Sequence, residues 1–147
     1  PAEIIEAMVR IHAYTALCAP IGAQIGAIEA LRECEREMRE MVRDYDQRRR
    51  VFVKGLRDIG LPCFEPKGAF YAFPSIAHTG LTSKEFSSRL LFEGKVAAVP
   101  GTAFGDCGEG HIRCTYATSM DNLKEALRRM ERFLGKLAEG AGQASTG

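Results

Sequence analysis

The stretch Gly110-His111-Ile112-Arg113-Cys114-Thr115-Tyr116 decides how this chain is read. Ile112, Cys114 and Tyr116 alternate with His111, Arg113 and Thr115, the period-two pattern of a strand with one apolar face. A guanidinium stays charged at any physiological pH and is seldom sequestered without an anion, so Arg113 in mid-strand demands a partner. Two partners are open: a carboxylate of the protein, or a carboxylate of a ligand.

Working outward, Pro100-Gly101-Thr102-Ala103-Phe104-Gly105 and Gly108-Glu109-Gly110 form a glycine-rich turn just before that strand. Glycines let backbone approach a ligand closely, which a plain hairpin does not require, and this favours the ligand as partner. Upstream, Val96–Val99 reads as a short apolar strand ending at Pro100, and Gly68–Phe73 as a strand ending at Pro74. Leu61–Glu65 is expected to form a short edge strand. Thr82-Ser83-Lys84-Glu85 has the spacing of a capping box and opens a helix that stops at Gly94. Ser119 caps a last helix carrying Leu123, Leu127, Met130 and Phe133.

The first part of the chain is helical in pattern. Ile4, Ile5, Met8, Val9 and Ile11 recur at helical spacing up to a break at Cys18-Ala19-Pro20. A second stripe begins at Ile21 and continues to Ile59. One helix of that length would span about 60 Å at the standard rise of 1.5 Å per residue, so a break is expected near Cys34–Glu37. Gly60 is placed as the left-handed residue that closes the long helix, with Leu61 behind it and Pro62 preventing continuation. The expected class is α/β, of the α+β kind. Two N-terminal helices and a long connecting helix lead to a small, mostly antiparallel sheet of three to four strands with helices packed on it. The expected division is 1–33 for helices at a domain junction, 34–137 for a small domain and 138–147 for a disordered tail of small and polar residues.

Composition excludes several function classes. The 20 basic and 19 acidic residues give a net charge of +1, which argues against a dedicated nucleic-acid binder. Arg48-Arg49-Arg50 is expected to be a solvated helix face, because three successive arginines spread around the helix and Glu33–Glu40 supplies acidic partners. No apolar run approaches the roughly 20 residues of a membrane span. The 5 cysteines are scattered without a CxxC pair, so neither a zinc site nor a disulfide framework is expected, and a cytoplasmic location is. The chain opens Pro1-Ala2-Glu3 and enters a helical pattern at once, as expected of a piece of a longer protein. Tyr14, with His12 and Thr15, stands just before the proline break, where it can line a pocket. Lys67-Gly68-Ala69-Phe70-Tyr71 reads either as a core strand after a turn or as an aromatic wall beside a ligand.

In this order and spacing, KGAFYAFPSI, KVAAVPGTAFG and GEGHIRCTYATS resemble the C-terminal part of class I/II pyridoxal-phosphate aminotransferases, the fold-type-I enzymes. IHAYTALCAPIGAQIGAIEAL and YDQRRRVFVKGL resemble the same family, and the likeness runs from Ile4 to Leu134. It implies an enzyme that moves an amino group from an α-amino acid to a 2-oxo acid, commonly as a homodimer. Arg113 matches the arginine that binds the substrate α-carboxylate, and Phe70 a residue lining the substrate pocket. Tyr14 falls in the segment that, in dimeric relatives, reaches toward the neighbouring subunit's site. Some aspartate-specific members place an arginine near that point, and this chain has Ala13 and Tyr14. The family's Schiff-base lysine lies in an upstream Ser-x-x-x-Lys segment that is not in this sequence; Lys54, Lys67, Lys84, Lys95, Lys124 and Lys136 stand in other contexts. The resemblance therefore implies a substrate clamp without catalytic residues, completed by a large N-terminal domain that carries pyridoxal 5'-phosphate. Alone, the chain is expected to be inactive. Two other readings stay open: a fold-type-I lyase, and a non-catalytic binding or dimerisation domain.

Overall fold

The computed structural model describes residues 1–144. Three helices come first: α1 (Ala2–Thr15), α2 (Ile21–Glu33) and α3 (Glu35–Asp58). The expected break falls at Cys34, whose φ of −99° and ψ of 23° take one residue out of helical conformation before the Met38 amide resumes bonding to the Cys34 carbonyl. The chain divides into two compact units inside α3, Pro1–Val42 and Arg43 onward. The division thus lies nine residues beyond the expected boundary at 33/34, in mid-helix and with no loop to mark it.

In the first unit, α1 and α2 bury no residue. Their large apolar side chains, among them Ile4, Met8, Ile21 and Ile25, are all at least half exposed.

The second unit is a three-stranded antiparallel sheet packed against helices. Its strands are β1 (Tyr71–Ala72), β2 (Val99–Pro100) and β3 (Ile112–Thr115), in the order β1-β3-β2. The register sets Tyr71 opposite Thr115, Ala72 opposite Cys114, and Val99 opposite Arg113. The ladders are shorter than the apolar runs that form them. Prolines at 62, 74 and 100 offer no amide, so Leu61–Glu65 contributes only a bridge from Cys63 to Pro74. Val96 turns its amide back to the Leu90 carbonyl, closing the preceding helix, and leaves the ladder to Val99. That helix is α4 (Ser83–Arg89), continued by a π-type turn to Gly94 and ended by Lys95 in the left-handed region at φ 55°.

Gly60 closes α3 at φ 87°, and the Leu61 amide reaches back to the Leu56 carbonyl at 2.9 Å, the expected left-handed stop. The Thr82 hydroxyl accepts from the Glu85 amide at 3.2 Å, as the capping motif requires. Ser119 caps α5 (Met120–Ala144) through the Asn122 amide. Helix α5 carries on through residues 138–144, where small and polar composition suggested a disordered tail; Leu134 and Leu137 still lie against the core near its end. Residues 145–147 of that expected tail lie outside the described residues.

The core gathers Phe52, Val53 and Leu56 of α3, Phe86 of α4, Leu123, Met130 and Phe133 of α5, and the inward face of β3. Phe86 and Phe133 meet edge to face at 5.4 Å. Burying each such side chain contributes about 1.5–3 kcal/mol, which fixes α3 and α5 against the sheet. The arginine run differs from the solvated face expected of it. Arg49 is only 20% exposed and bridges Asp46 of its own helix to Glu65, while Arg48 lies over the Tyr45 ring at 5.5 Å. The carboxylates that matter are thus Asp46 and Glu65 rather than Glu33–Glu40, and Arg49 ties α3 to the segment leading into β1.

Candidate functional site

The alternation read in β3 holds. Ile112, Cys114 and Tyr116 are buried to 6% exposure or less, and Arg113 lies on the opposite face, half-buried. Its guanidinium carbon sits 4.3 Å from the ring centroid of Tyr71 and 4.3 Å from that of Phe104. Tyr71 comes from β1, on one side of β3, and Phe104 from the turn after β2, on the other. Among the described residues, no carboxylate forms an ion pair with Arg113. Of the two partners open to the sequence, the protein carboxylate is therefore absent from this set. The cation is flanked by ring faces instead, an attraction of electrostatic origin that does not occupy its N–H groups.

The rings continue beyond the arginine. Phe70 lies 4.7 Å from Tyr71 and stacks at 5.8 Å on Tyr45 of α3. On the far side, Phe73 meets Phe104 edge to face at 6.2 Å and stacks on His111 at 5.4 Å. The structure thus brings Arg113 and Phe70 into one array, linked through Tyr71. Tyr14 belongs to the first compact unit, in the last turn of α1, with its ring 93% exposed. Sequence reasoning placed Tyr71 in an aromatic wall and Phe104 in a glycine-rich turn without pairing either with Arg113. Cross-strand register was the missing information, since the β1–β3 ladder brings Tyr71 beside Arg113 although the two are distant in the chain.

Local structure explains why these groups stand where they do. Tyr116 is buried and donates its hydroxyl to the Ala69 carbonyl at 2.9 Å, while its amide bonds the Phe70 carbonyl at 3.0 Å. This pins the bend at Gly68–Phe70, in which Ala69 adopts φ 55°. The turn before β3 is held by a close backbone crossing. A Cβ on Gly101 would lie 2.0 Å from the Gly108 carbonyl oxygen, so only glycine fits there. The glycines expected to admit a ligand are thus needed by the loop's own packing. Glu109 accepts from the Ser83 amide at 2.7 Å, and the Ser83 hydroxyl in turn accepts from the His111 amide. That Ser83 bond, with a second from the Gly110 amide, holds the Glu109 carboxyl below the usual glutamate range.

Burial pushes the Cys114 thiol up to about 12, with the nearby Cys63 adding to the effect. Cys114 is therefore a protonated core residue and no nucleophile. Among the described residues, no group of three His, Cys, Asp or Glu could hold a metal ion. A cleft of about 330 Å³ opens between α5 and the Lys95–Ala97 segment, lined by Val96, Leu123 and Met130 among others, and includes neither Arg113 nor Phe70.

The half-buried Arg113 thus stands in an aromatic array on a small antiparallel sheet, and comparison with known proteins places the chain in a family. The family model described as aminotransferase class I and II matches residues 1–130. The chain belongs to that family. It is 50% identical over 136 residues to a putative aminotransferase, YugH, of Bacillus subtilis, covering 92% of this chain and 35% of that protein. It is 51% identical over 137 residues to an aspartate aminotransferase of Pyrococcus abyssi, with 91% and 35% covered. The crystal structure of an aromatic aminotransferase from Pyrococcus horikoshii superposes with a TM-score of 0.83 at 49% identity, over 92% of this chain and 37% of that one. The chain thus spans about a third of the length of the curated relatives it matches.

Enzymes of this family generally use pyridoxal 5'-phosphate, which needs an amine to hold it as a Schiff base. The residues present do not fit that role. Lys54, Lys67, Lys84, Lys95, Lys124 and Lys136 are all exposed, and Lys54 is paired with Asp58.

Proposed function

We propose that this chain is the substrate-carboxylate half of an α-amino-acid aminotransferase, acting within a longer protein that transfers an amino group to a 2-oxo acid. The observation that carries the reading is the Arg113 guanidinium, flanked by two rings and without a carboxylate partner among the described residues. A planar guanidinium pairs a carboxylate through two parallel N–H···O bonds, which fixes an amino acid in plane and register. Phe70, at the end of the array, lines the same pocket. The remainder of the protein, a large N-terminal domain, supplies the lysine and holds the cofactor, so the chain alone is inactive. Family membership, the coverage of a third of each relative and the absence of a suitably placed lysine support this division of labour.

The complete protein works as a homodimer, with Tyr14 facing the neighbouring subunit's substrate. The exposed apolar positions of α1 and α2 support a partner for that unit, since such a stripe seldom stays uncovered in a finished protein. No helix among the described residues is long and apolar enough to cross a membrane; the proposed cytoplasmic location rests on the scattered cysteines, which suit a reducing compartment.

The test is kinetic. In the complete protein, Arg113→Ala removes one partner of a charge-assisted, bidentate pair. For phenylalanine or aspartate with 2-oxoglutarate, kcat/KM should fall by about two to three orders of magnitude, the cost of leaving one charge of such a pair alone. Near-native kinetics in that variant would sink the assignment.

A further inference from the structure

We propose that Tyr71 and Phe104 are positioning residues for Arg113: their rings hold the guanidinium ready before a carboxylate arrives. The inference rests on the carboxylate-clamp reading and adds a device to it. An arginine side chain gives up considerable rotamer freedom when it is fixed, and a ligand that must fix it binds more weakly for that reason. Here the guanidinium is already restrained, at 4.3 Å from each of two rings. Both rings are anchored independently of any ligand. Tyr71 sits in the β1–β3 ladder and touches Phe70, which stacks on Tyr45 of α3. Phe104 meets Phe73, which stacks on His111, two residues before Arg113 at the entry to β3. The cation is thus gripped from β1 and from the turn after β2, while β3 supplies its backbone.

Ring faces suit this task better than a carboxylate would. A protein carboxylate fixes an arginine by occupying the N–H groups that the substrate needs, and binding then has to displace it. A ring attracts the cation through its π-face and leaves the N–H edge free for an in-plane, bidentate partner. The absence of an ion pair at Arg113 among the described residues and the presence of two rings are therefore two sides of one arrangement. Tyr71 and Phe104 are 37% and 48% exposed, so their replacement spares the core.

The test uses the chain itself, labelled with nitrogen-15 and compared with Tyr71→Leu, Phe104→Leu and the double variant, with Tyr71→Phe and Phe104→Tyr as conservative controls. The Arg113 Nε–Hε resonance, identified by its loss in Arg113→Lys, reports ring current and side-chain order. It should lie upfield of the other arginine signals, move toward them in the leucine variants with loss of order, and stay in place in the controls. Titration with 3-phenylpropionate should show affinity falling about fivefold or more in the double variant, the effect of losing partly exposed cation–π contacts. An Arg113 signal equally ordered and unshifted in the leucine variants would overturn the proposal. So would unchanged 3-phenylpropionate affinity in those variants. If the signal responds as described but Arg113→Ala leaves the kinetics of the complete protein unchanged, the positioning stands and the clamp reading fails.

Discussion

Replacing Gly101 with alanine tests the loop that delivers Arg113. The new Cβ would lie 2.0 Å from the Gly108 carbonyl oxygen and 2.8 Å from that of His111, both backbone atoms that no rotamer change can move. Carbon and oxygen need about 3.3 Å, so the two backbone segments must part by more than about 1 Å. That separation breaks the Gly101 amide bond to the His111 carbonyl, now 2.9 Å, and the Ser83 hydroxyl contact to the Gly108 carbonyl at 3.4 Å. Overpacking of this kind costs about 1–3 kcal/mol, and each lost hydrogen bond adds about 1 kcal/mol, for a total of about 3–5 kcal/mol. Urea unfolding of Gly101→Ala should show that loss as a fall in midpoint at unchanged slope. Gly108→Ala meets the same crossing from the other side, at 2.1 Å from the Gly101 carbonyl oxygen, so the double variant should lose much less than the sum of the two. Gly68→Ala, with no atom within 4 Å of its new Cβ, serves as the control. A Gly101→Ala midpoint equal to that of Gly68→Ala would refute the reasoning.

Other outcomes follow from single positions. Lys95 ends the helical segment at φ 55°, so Lys95→Gly should stabilise the chain by about 0.5–1 kcal/mol in thermal unfolding, by relieving left-handed strain. Glu109 binds its proton less readily folded than unfolded, so its contribution to stability is present above the unfolded-state value and lost as pH falls through the folded one. The acid limb of the stability–pH curve should therefore flatten in Glu109→Gln. Cys18, Cys34 and Cys107 are exposed while Cys63 and Cys114 are buried, so a thiol reagent should label the first three quickly, with the buried pair reacting only after unfolding, as peptide mass mapping would show.

Legibility of the fold followed the range of the interactions involved. The break at Cys34, the left-handed stop at Gly60 and the caps at Thr82 and Ser119 are local, and the residues that make them lie within a turn of one another. The inward face of β3 was equally legible because alternation is a property of one strand. What the sequence concealed depends on pairing between distant segments. Strand lengths were overestimated because apolar composition marks burial, whereas a ladder also needs amides, which the prolines at 62, 74 and 100 lack. Arg49 seemed a surface residue because its second carboxylate, Glu65, lies 16 positions away. The end of α5 was obscured by small residues whose composition signals disorder, although the helix runs on to Ala144 beyond Leu134 and Leu137, which pack against the core.

The same distinction governs the site. The glycine-rich turn first argued that Arg113 serves a ligand, and that argument does not survive, because Gly101 and Gly108 are required by their own backbone crossing. The role proposed for Arg113 rests on different ground. A charge on the outer face of β3 could have been satisfied by a carboxylate, and among the described residues Asp46, Glu65 and Glu109 bond other partners. Each of those acids lowers its proton affinity by bonding an arginine or an amide elsewhere, so none is held in reserve for Arg113. Two aromatic rings take the position an acid would have filled. Rings stabilise the cation less than a carboxylate would, and they keep its hydrogen-bonding edge open. A residue placed for stability alone would gain from the stronger partner, whereas a residue that must accept a carboxylate from solution is better served by the weaker one.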